Sequence, residues 1–315
     1  MTYYYSACVA ISGDANSVLC DPWFTDGAYD GSWFQFPKLE NPIHKIGRHR
    51  YVYISHIHPD HLDLKFLHDY CRKFSDTELL IANFKKNYLA RKLREAGLPF
   101  RIADDVDLGD FKVRIFPNDQ GHVFDVDSAL VAIDNNTNHV VVNMNDNDFN
   151  ATMIDQIKTC CGSSPEIALL GYTGAGPYPQ TYHQDPSVLL EKAEAKKIEF
   201  FRRYRRMRDT RNPKVTIPFA GKYWLGGKLV GLNAFRGVAD AVDILNFDER
   251  AVVLADGGDS SIDTATLRAT SVRTLRYEEK AIQDFLKSIQ SAPMDYERNF
   301  RSLSVHLVPF KTLLP

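Results

Sequence analysis

The chain lacks most of the features that mark a secreted, membrane-bound or polyanion-binding protein. Its 315 residues hold five cysteines, an odd number in a long chain, which does not read as a disulfide framework. Cys160 and Cys161 are adjacent, while Cys8, Cys20 and Cys71 stand in apolar surroundings, as buried thiols do. No stretch approaches the roughly 18 consecutive apolar residues of a membrane span. Met1-Thr2-Tyr3-Tyr4-Tyr5 has neither the basic start nor the apolar centre of a signal peptide. A net charge of -2 provides no general field for nucleic acid. No solenoid-length repeat and no low-complexity linker divides the chain. These absences leave a cytoplasmic globular protein as the simplest expectation. Its composition, 44% hydrophobic and 25% charged, suits a chain that buries a sizeable core.

What is present is an alternation of strand and helix patterns. Ala7–Ser12 and Ser17–Cys20 flank the turn Gly13-Asp14-Ala15-Asn16 as a hairpin, and a loop rich in aromatics and glycine runs from Phe24 to about Lys38. Tyr51–Ile54 is a β-branched and aromatic run, after which Leu64, Leu67 and Tyr70 recur at helical spacing. Glu78–Ala82 and Lys85–Glu95 repeat the strand-helix pair. Strands are then expected at Phe100–Ile102, Phe111–Phe116, Ser128–Asp134, His139–Met144 and Ile167–Leu170, with a helix at Ala151–Lys158. Asp185 can cap, and Pro186 open, a long helix reaching about Arg208. Val215–Ile217 and Ala251–Leu254 read as late strands and Tyr277–Ile289 as an amphipathic helix. The pattern predicts one α/β domain over residues 1–315, with 222–315 as a C-terminal extension and two sheets packed face to face between helices.

The chemistry concentrates in Ser55-His56-Ile57-His58-Pro59-Asp60-His61. His56 and His58 leave a strand end two residues apart, so both imidazoles can face one side. Pro59 stops the strand, and the turn presents Asp60 and His61 as a second pair. A lone histidine is usually a satisfied polar residue, but four ligand-type side chains within six positions predict a metal site. This donor mixture suits zinc best, with iron or manganese as alternatives. One segment cannot complete two coordination spheres. His122, in Asp119-Gln120-Gly121-His122, and Asp146, after the strand ending at Met144, are expected to supply the remainder. In isolation they would read as a turn residue and a helix cap; beside the cluster, ligation is the expectation for both.

These residues resemble the signature of the metallo-β-lactamase superfamily, His-x-His-x-Asp-His followed by a later His and a later Asp. The resemblance implies a four-layer αββα sandwich and a binuclear site. His56, His58 and His122 would hold one ion, Asp60 and His61 the other, and Asp146 would bridge. Leu19-Cys20-Asp21-Pro22-Trp23, Tyr53-Ile54-Ser55-His56 and Pro218-Phe219-Ala220-Gly221 resemble the branch containing the CMP-N-acetylneuraminate hydroxylase catalytic region. The ascorbate-6-phosphate lactonase and N-acylphosphatidylethanolamine phospholipase D type branch has a His-x-Asp-Pro element, here His183-Gln184-Asp185-Pro186. That likeness implies a His183 turned toward the metals. Two departures stand out. Hydrolase branches carry a late His near a Gly-Thr-Phe turn, where this chain has Phe219-Ala220-Gly221-Lys222-Tyr223, leaving the second ion short of a ligand. The hydroxylase also needs a Rieske iron-sulfur domain, and the sequence contains no Cys-x-His or Cys-x-x-His.

The resulting expectation is a hydrolase that turns metal-activated water on a small anionic ester, lactone or phosphodiester. Asp60 would orient the water, and His183, Tyr172 or Lys222 would stabilise developing charge. Tyr172 lies in Gly171-Tyr172-Thr173-Gly174-Ala175-Gly176, which reads equally as an ordinary glycine-rich connection. The alternative is an iron-dependent oxygenase fed by a separate redox partner, and a third reading is a non-catalytic scaffold that kept its metal. Lys192, Lys196, Lys197, Arg202, Arg203, Arg205, Arg206 and Arg208 crowd the long helix. They read first as a solvated face, and alternatively as a contact for a sugar nucleotide or phosphorylated metabolite. Interleaved aromatics are too few for a nucleic-acid groove.

Overall fold

The computed structural model describes residues 1–119, 126–147, 149–162 and 164–302. Short runs rich in Val, Ile, Leu and Tyr, too brief for stable helices, form its strands. The first sheet begins as the meander β1 (Thr2–Tyr5), β2 (Cys8–Ser12) and β3 (Ser17–Cys20). A two-residue strand, β4 (Trp33–Phe34), lies outside it. β5 (Tyr51–Tyr53), β6 (Glu78–Ile81) and β7 (Phe100–Ile102) then join the first sheet in parallel beside β3. The second sheet takes β8 (Asp105–Asp107), β9 (Phe111–Asp119), β10 (Val126–Asp134) and β11 (Val140–Asn143) as antiparallel neighbours. β12 (Ile167–Gly171) and β13 (Val215–Phe219) extend it in parallel. β14 (Trp224–Leu225) pairs with β4, and β15 (Ser260–Ile262) and β16 (Ala269–Thr270) continue the first sheet beyond β1.

Helices supply the outer layers. α1 (Leu64–Lys73) and α2 (Tyr88–Glu95) connect the parallel strands of the first sheet and bury Phe66, Leu67, Tyr70, Leu89 and Leu93. Asp63 and Asn87 cap them, accepting from Phe66 N at 2.9 Å and Ala90 N at 2.8 Å. α3 (Ala151–Cys161) and α4 (Pro186–Arg211) cover the second sheet, and α5 (Glu279–Ile289) follows late in the chain. Strand alternation divides the apolar residues between two cores. Val113, Ile115, Leu130, Val141 and Leu169 face the first sheet, while Val140, Val142, Ala168 and Leu170 face Met153, Ile154, Ile157, Tyr204 and Met207. The architecture is a four-layer αββα sandwich.

One late strand does not form. Ala251 and Leu254 make only isolated bridges, to Thr216 and Val272, because β13 ends its sheet against an irregular segment. Cys8 and Cys20 are buried, whereas Cys71 is half-buried; all five cysteines are free. Within 222–302, β15 and β16 lengthen the first sheet; the 3-10 helix Ala241–Asn246 packs beside the second, and the 3-10 helix Gly227–Phe235 lies against β14 and α4. Among the described residues no helix is long and apolar enough to cross a membrane.

Candidate metal centre

The ends of β3, β5 and β11 and the start of β10 bring the candidate ligands and their partners to one rim. Tyr53 reaches across from β5, its hydroxyl donating to Ser128 O at 2.8 Å, and Ser128 Oγ donates to Ser55 O at 2.8 Å. These bonds lock the strand that precedes the histidines onto the opposing sheet. The cluster then turns tightly, with His61 N and Leu62 N both donating to His58 O. His56 and His61 from this turn and Asp146 from beyond β11 each bring one ligand atom to within 4.8 Å of the other two. His58 Nδ1 lies 2.7 Å from His56 Nε2, and Asp60 Oδ2 lies 3.6 Å from His61 Nε2.

Second partners fix which nitrogen faces inward. Asp21, fully buried, accepts from Ser55 N at 2.8 Å, Ser55 Oγ at 2.7 Å and Asn145 Nδ2 at 2.5 Å, and pairs with His61 Nδ1 at 3.1 Å. With Nδ1–H committed to Asp21, His61 Nε2 carries the lone pair. That nitrogen is buried and lies at ion-pair distance, 3.2 Å, from Asp146 Oδ2. A proton on Nε2, or a metal ion in its place, makes so close an approach to the carboxylate favourable. At His56, Nδ1 meets Ser55 Oγ at 2.9 Å, with Asp127 Oδ1 at 3.3 Å behind it. Ligands of a single ion with bonds of about 2.0–2.2 Å lie at most about 4.4 Å apart, so small side-chain rotations would close the trio onto a metal.

The electrostatics agree. Burial alone would lower the His61 pKa, but the charges of Asp146 and Asp60 hold it well above the ordinary value. Burial likewise opposes His56, where Asp127 prevails and raises it. Burial and the charge of His56 lower His58. Asp146 is held below the usual carboxylate value: burial opposes its ionisation, and the neighbouring imidazoles overcome that. The rim therefore carries a negative field that a bound cation would neutralise.

The other expected residues fall into distinct places. His122 lies outside the described residues. The trio takes His56 from one implied ion, His61 from the other, and Asp146, the implied bridge. Tyr172 is buried on the far side of its strand end: Gly171 and Thr173 line the large cavity, and alternation turns residue 172 toward Tyr3, Lys222, Asp256 and Arg273. His183 packs edge-on against Tyr178, ring centroids 6.1 Å apart, and does not line the cavity, where Gln180 and Thr181 hold the facing positions. Lys222 also turns away, its Nζ 2.6 Å from Asp256 Oδ2 between the Tyr5 and Tyr277 rings. Tyr223 instead stacks on Trp33 at 3.7 Å.

The cavity in front of the cluster measures about 870 Å³. It runs from His56, His58, Asp60, Asp127 and Asp146 to the side of α4. Tyr29, absent from the sequence-based expectations, donates its hydroxyl to Asp60 Oδ1 at 2.9 Å from a left-handed backbone (φ 52°). The signal for Asp127 was a charged residue beginning an otherwise apolar strand. Asp21 stood in the Asp-Pro-Trp turn. Nothing local distinguished Tyr29 in its aromatic loop.

Sheet order, layers and rim define the metallo-β-lactamase fold. Two solved structures share it across most of their length. The first is an isothiocyanate hydrolase from Delia radicum gut bacteria, with TM-score 0.53 and 14% identity, covering 82% of this chain and 97% of that one. The second, from Veillonella parvula, is described as a possible metal-dependent hydrolase, with TM-score 0.55 and 12% identity, covering 86% and 98%. At such identities the likeness is one of fold. No protein-family model matches the chain.

By sequence, the chain is 35% identical over 185 residues to a Mycolicibacterium smegmatis protein described as a Rieske 2Fe-2S iron-sulfur protein. That match takes in 55% of this chain and 34% of the relative, so the chain corresponds to about a third of it. A second match is the cytidine monophosphate-N-acetylneuraminic acid hydroxylase of Danio rerio, 29% identical over 84 residues, covering 26% of this chain and 14% of the hydroxylase.

Proposed function

We propose that the chain is a metal-dependent enzyme that hydrolyses a small anionic ester, lactone or phosphodiester. The observation carrying this reading is His61: fully buried, its Nδ1 turned to Asp21 and its Nε2 set 3.2 Å from the Asp146 carboxylate, with His56 beside them, an arrangement in which a proton or a metal ion must stand between ring and carboxylate. His56, His61 and Asp146 would hold the ion, with His58 and Asp60 beside them. A divalent ion held there would supply Lewis acidity, activating water and polarising the attacked oxygen. Asp21 at His61, and Ser55 with Asp127 at His56, would keep the two imidazoles in the ligating tautomer. Tyr29 occupies one oxygen of Asp60, leaving the other able to accept a proton from an attacking water.

A second reading, iron-dependent oxygen chemistry served by a separate electron donor, is favoured by the sequence relatives, one a hydroxylase. Purification without oxygen, followed by reloading with zinc, manganese or iron, separates the two. The hydrolase reading predicts metal-dependent cleavage of p-nitrophenyl ester or phosphodiester probes that His58→Ala abolishes. Full cleavage by chelator-stripped protein would rule it out. Oxygen uptake found only with iron and a reductant would transfer the assignment to the second reading.

A further inference from the structure

The end of the cavity remote from the histidines is built by α4. Glu199, Phe200, Arg203, Arg206 and Met207 all line it. On a helix these positions fall within an arc of about 120°, so one continuous stripe faces the cavity. Arg202, Arg205 and Arg208 lie off this stripe, and Lys192 and Lys196, on the same face nearer the start of α4, are not among the residues lining the cavity. Burial of Tyr204 and Met207 against the second core fixes the helix's rotation, and with it the direction of the stripe.

Arg206 is the better placed of its two cations. Its guanidinium lies 3.6 Å from the centroid of Phe149, another cavity-lining ring. Stacking engages the face of the guanidinium and leaves its in-plane N–H fork available for a planar or tetrahedral anion. Arg203 lies beside the Phe200 ring at 5.1 Å and is partly neutralised by Glu199, 3.5 Å away. Phe200 packs directly against the loop after β12: a Cβ on Gly174 would meet its ring, so any larger residue there would push the ring aside. The cavity thus has a metal-type pole and a cationic pole, with apolar wall such as Leu229 along its length.

We propose that Arg206, assisted by Arg203, forms a subsite for the anionic group of the substrate, a phosphoryl or carboxylate group on an apolar or planar body. This rests on the cavity being the substrate site, and it assigns the recognition of charge to α4 and not to the ion. A bidentate guanidinium contact sets the anion's position, so the distance between the poles selects which bond of the substrate reaches His56 and Asp146.

Titration calorimetry with phenyl phosphate, benzoate and neutral benzyl alcohol tests this on full-length protein, both metal-loaded and chelator-stripped. Arg206→Gln should weaken phenyl phosphate or benzoate binding about tenfold or more in both forms, with metal content unchanged. Arg202→Gln, a neighbouring charge off the stripe, should change it less than twofold. Whichever anion loses more affinity identifies phosphoryl or carboxylate as the natural group. Binding by Arg206→Gln equal to wild type, equal affinity for benzyl alcohol, or no anion binding by wild type would overturn the proposal. The stripped arm keeps the two readings apart. Loss of metal binding in His61→Ala with the arginine effect intact supports the subsite, whatever the ion does.

Discussion

Asp21 gathers three donated hydrogen bonds and the His61 ring around one buried carboxylate, in a left-handed backbone conformation (φ 38°). A buried carboxylate is tolerable there because both of its oxygens accept hydrogen bonds. Asp21→Asn should weaken metal binding by roughly 10- to 100-fold, since the amide can present N–H to His61 and favour the wrong tautomer. Competition against a chromogenic chelator would measure it; unchanged affinity would remove Asp21 from the account. At this scale the sequence was legible where ligands are adjacent. His56, His58, Asp60 and His61 sit in one turn, and the local pattern suffices. Tyr29 was not legible, because its role arises from a contact across a loop, and the charge that opens β10 at Asp127 did not by itself say which histidine it would meet.

α1 shows how an element carries the site. Asp63 accepts from Phe66 N as its cap, and its other oxygen accepts from Phe24 N at 3.0 Å and Thr25 N at 2.7 Å. The aromatic loop that delivers Tyr29 is thereby tied to the helix following the histidines. Asp63→Ala should cost roughly 2–4 kcal/mol in urea unfolding, above an ordinary cap, because two further buried N–H groups lose their acceptor. A loss near 1 kcal/mol would mean the loop is held by other means. Strand and helix periods made β2, β3, β5, β12 and α4 readable from the sequence. The same alternation turns Tyr172 away from the cavity, and counting residues from β12 would have indicated it. Ala251–Leu254 misled because an apolar run matches a strand whether or not a partner strand exists.

Across the molecule, Lys196 joins parts distant in sequence, donating to Tyr178 O at 2.8 Å and Arg236 O at 3.0 Å. Burial first, and then the charge of Arg236, lower its pKa to about 8. The folded state therefore releases this proton at lower pH than the unfolded chain, whose lysine titrates near pH 10.4. Stability gains a contribution as pH rises from about 8 to about 10.4, and below that window the buried charge is a net cost. Lys196→Met should flatten that rise, by roughly 2 kcal/mol, in denaturant titrations across the window. An unaltered slope would contradict the assignment.

The two-sheet architecture was foreseeable from the strand-helix alternation and from the superfamily resemblance. The order of strands was not, because β1 is flanked by β15 from more than 250 residues away. Pairings of that separation leave no trace in a local window. The central claim is that the rim of the sandwich holds a transition metal between His56, His61 and Asp146. Elemental analysis of anaerobically purified protein, wild type against a His61→Ala, Asp146→Ala double variant, tests it most directly. The account predicts at least one tightly held ion per wild-type chain and its loss from the double variant, with far-ultraviolet circular dichroism unchanged. Equal metal content in the two proteins, or a wild type that takes up no transition metal when supplied, would contradict it.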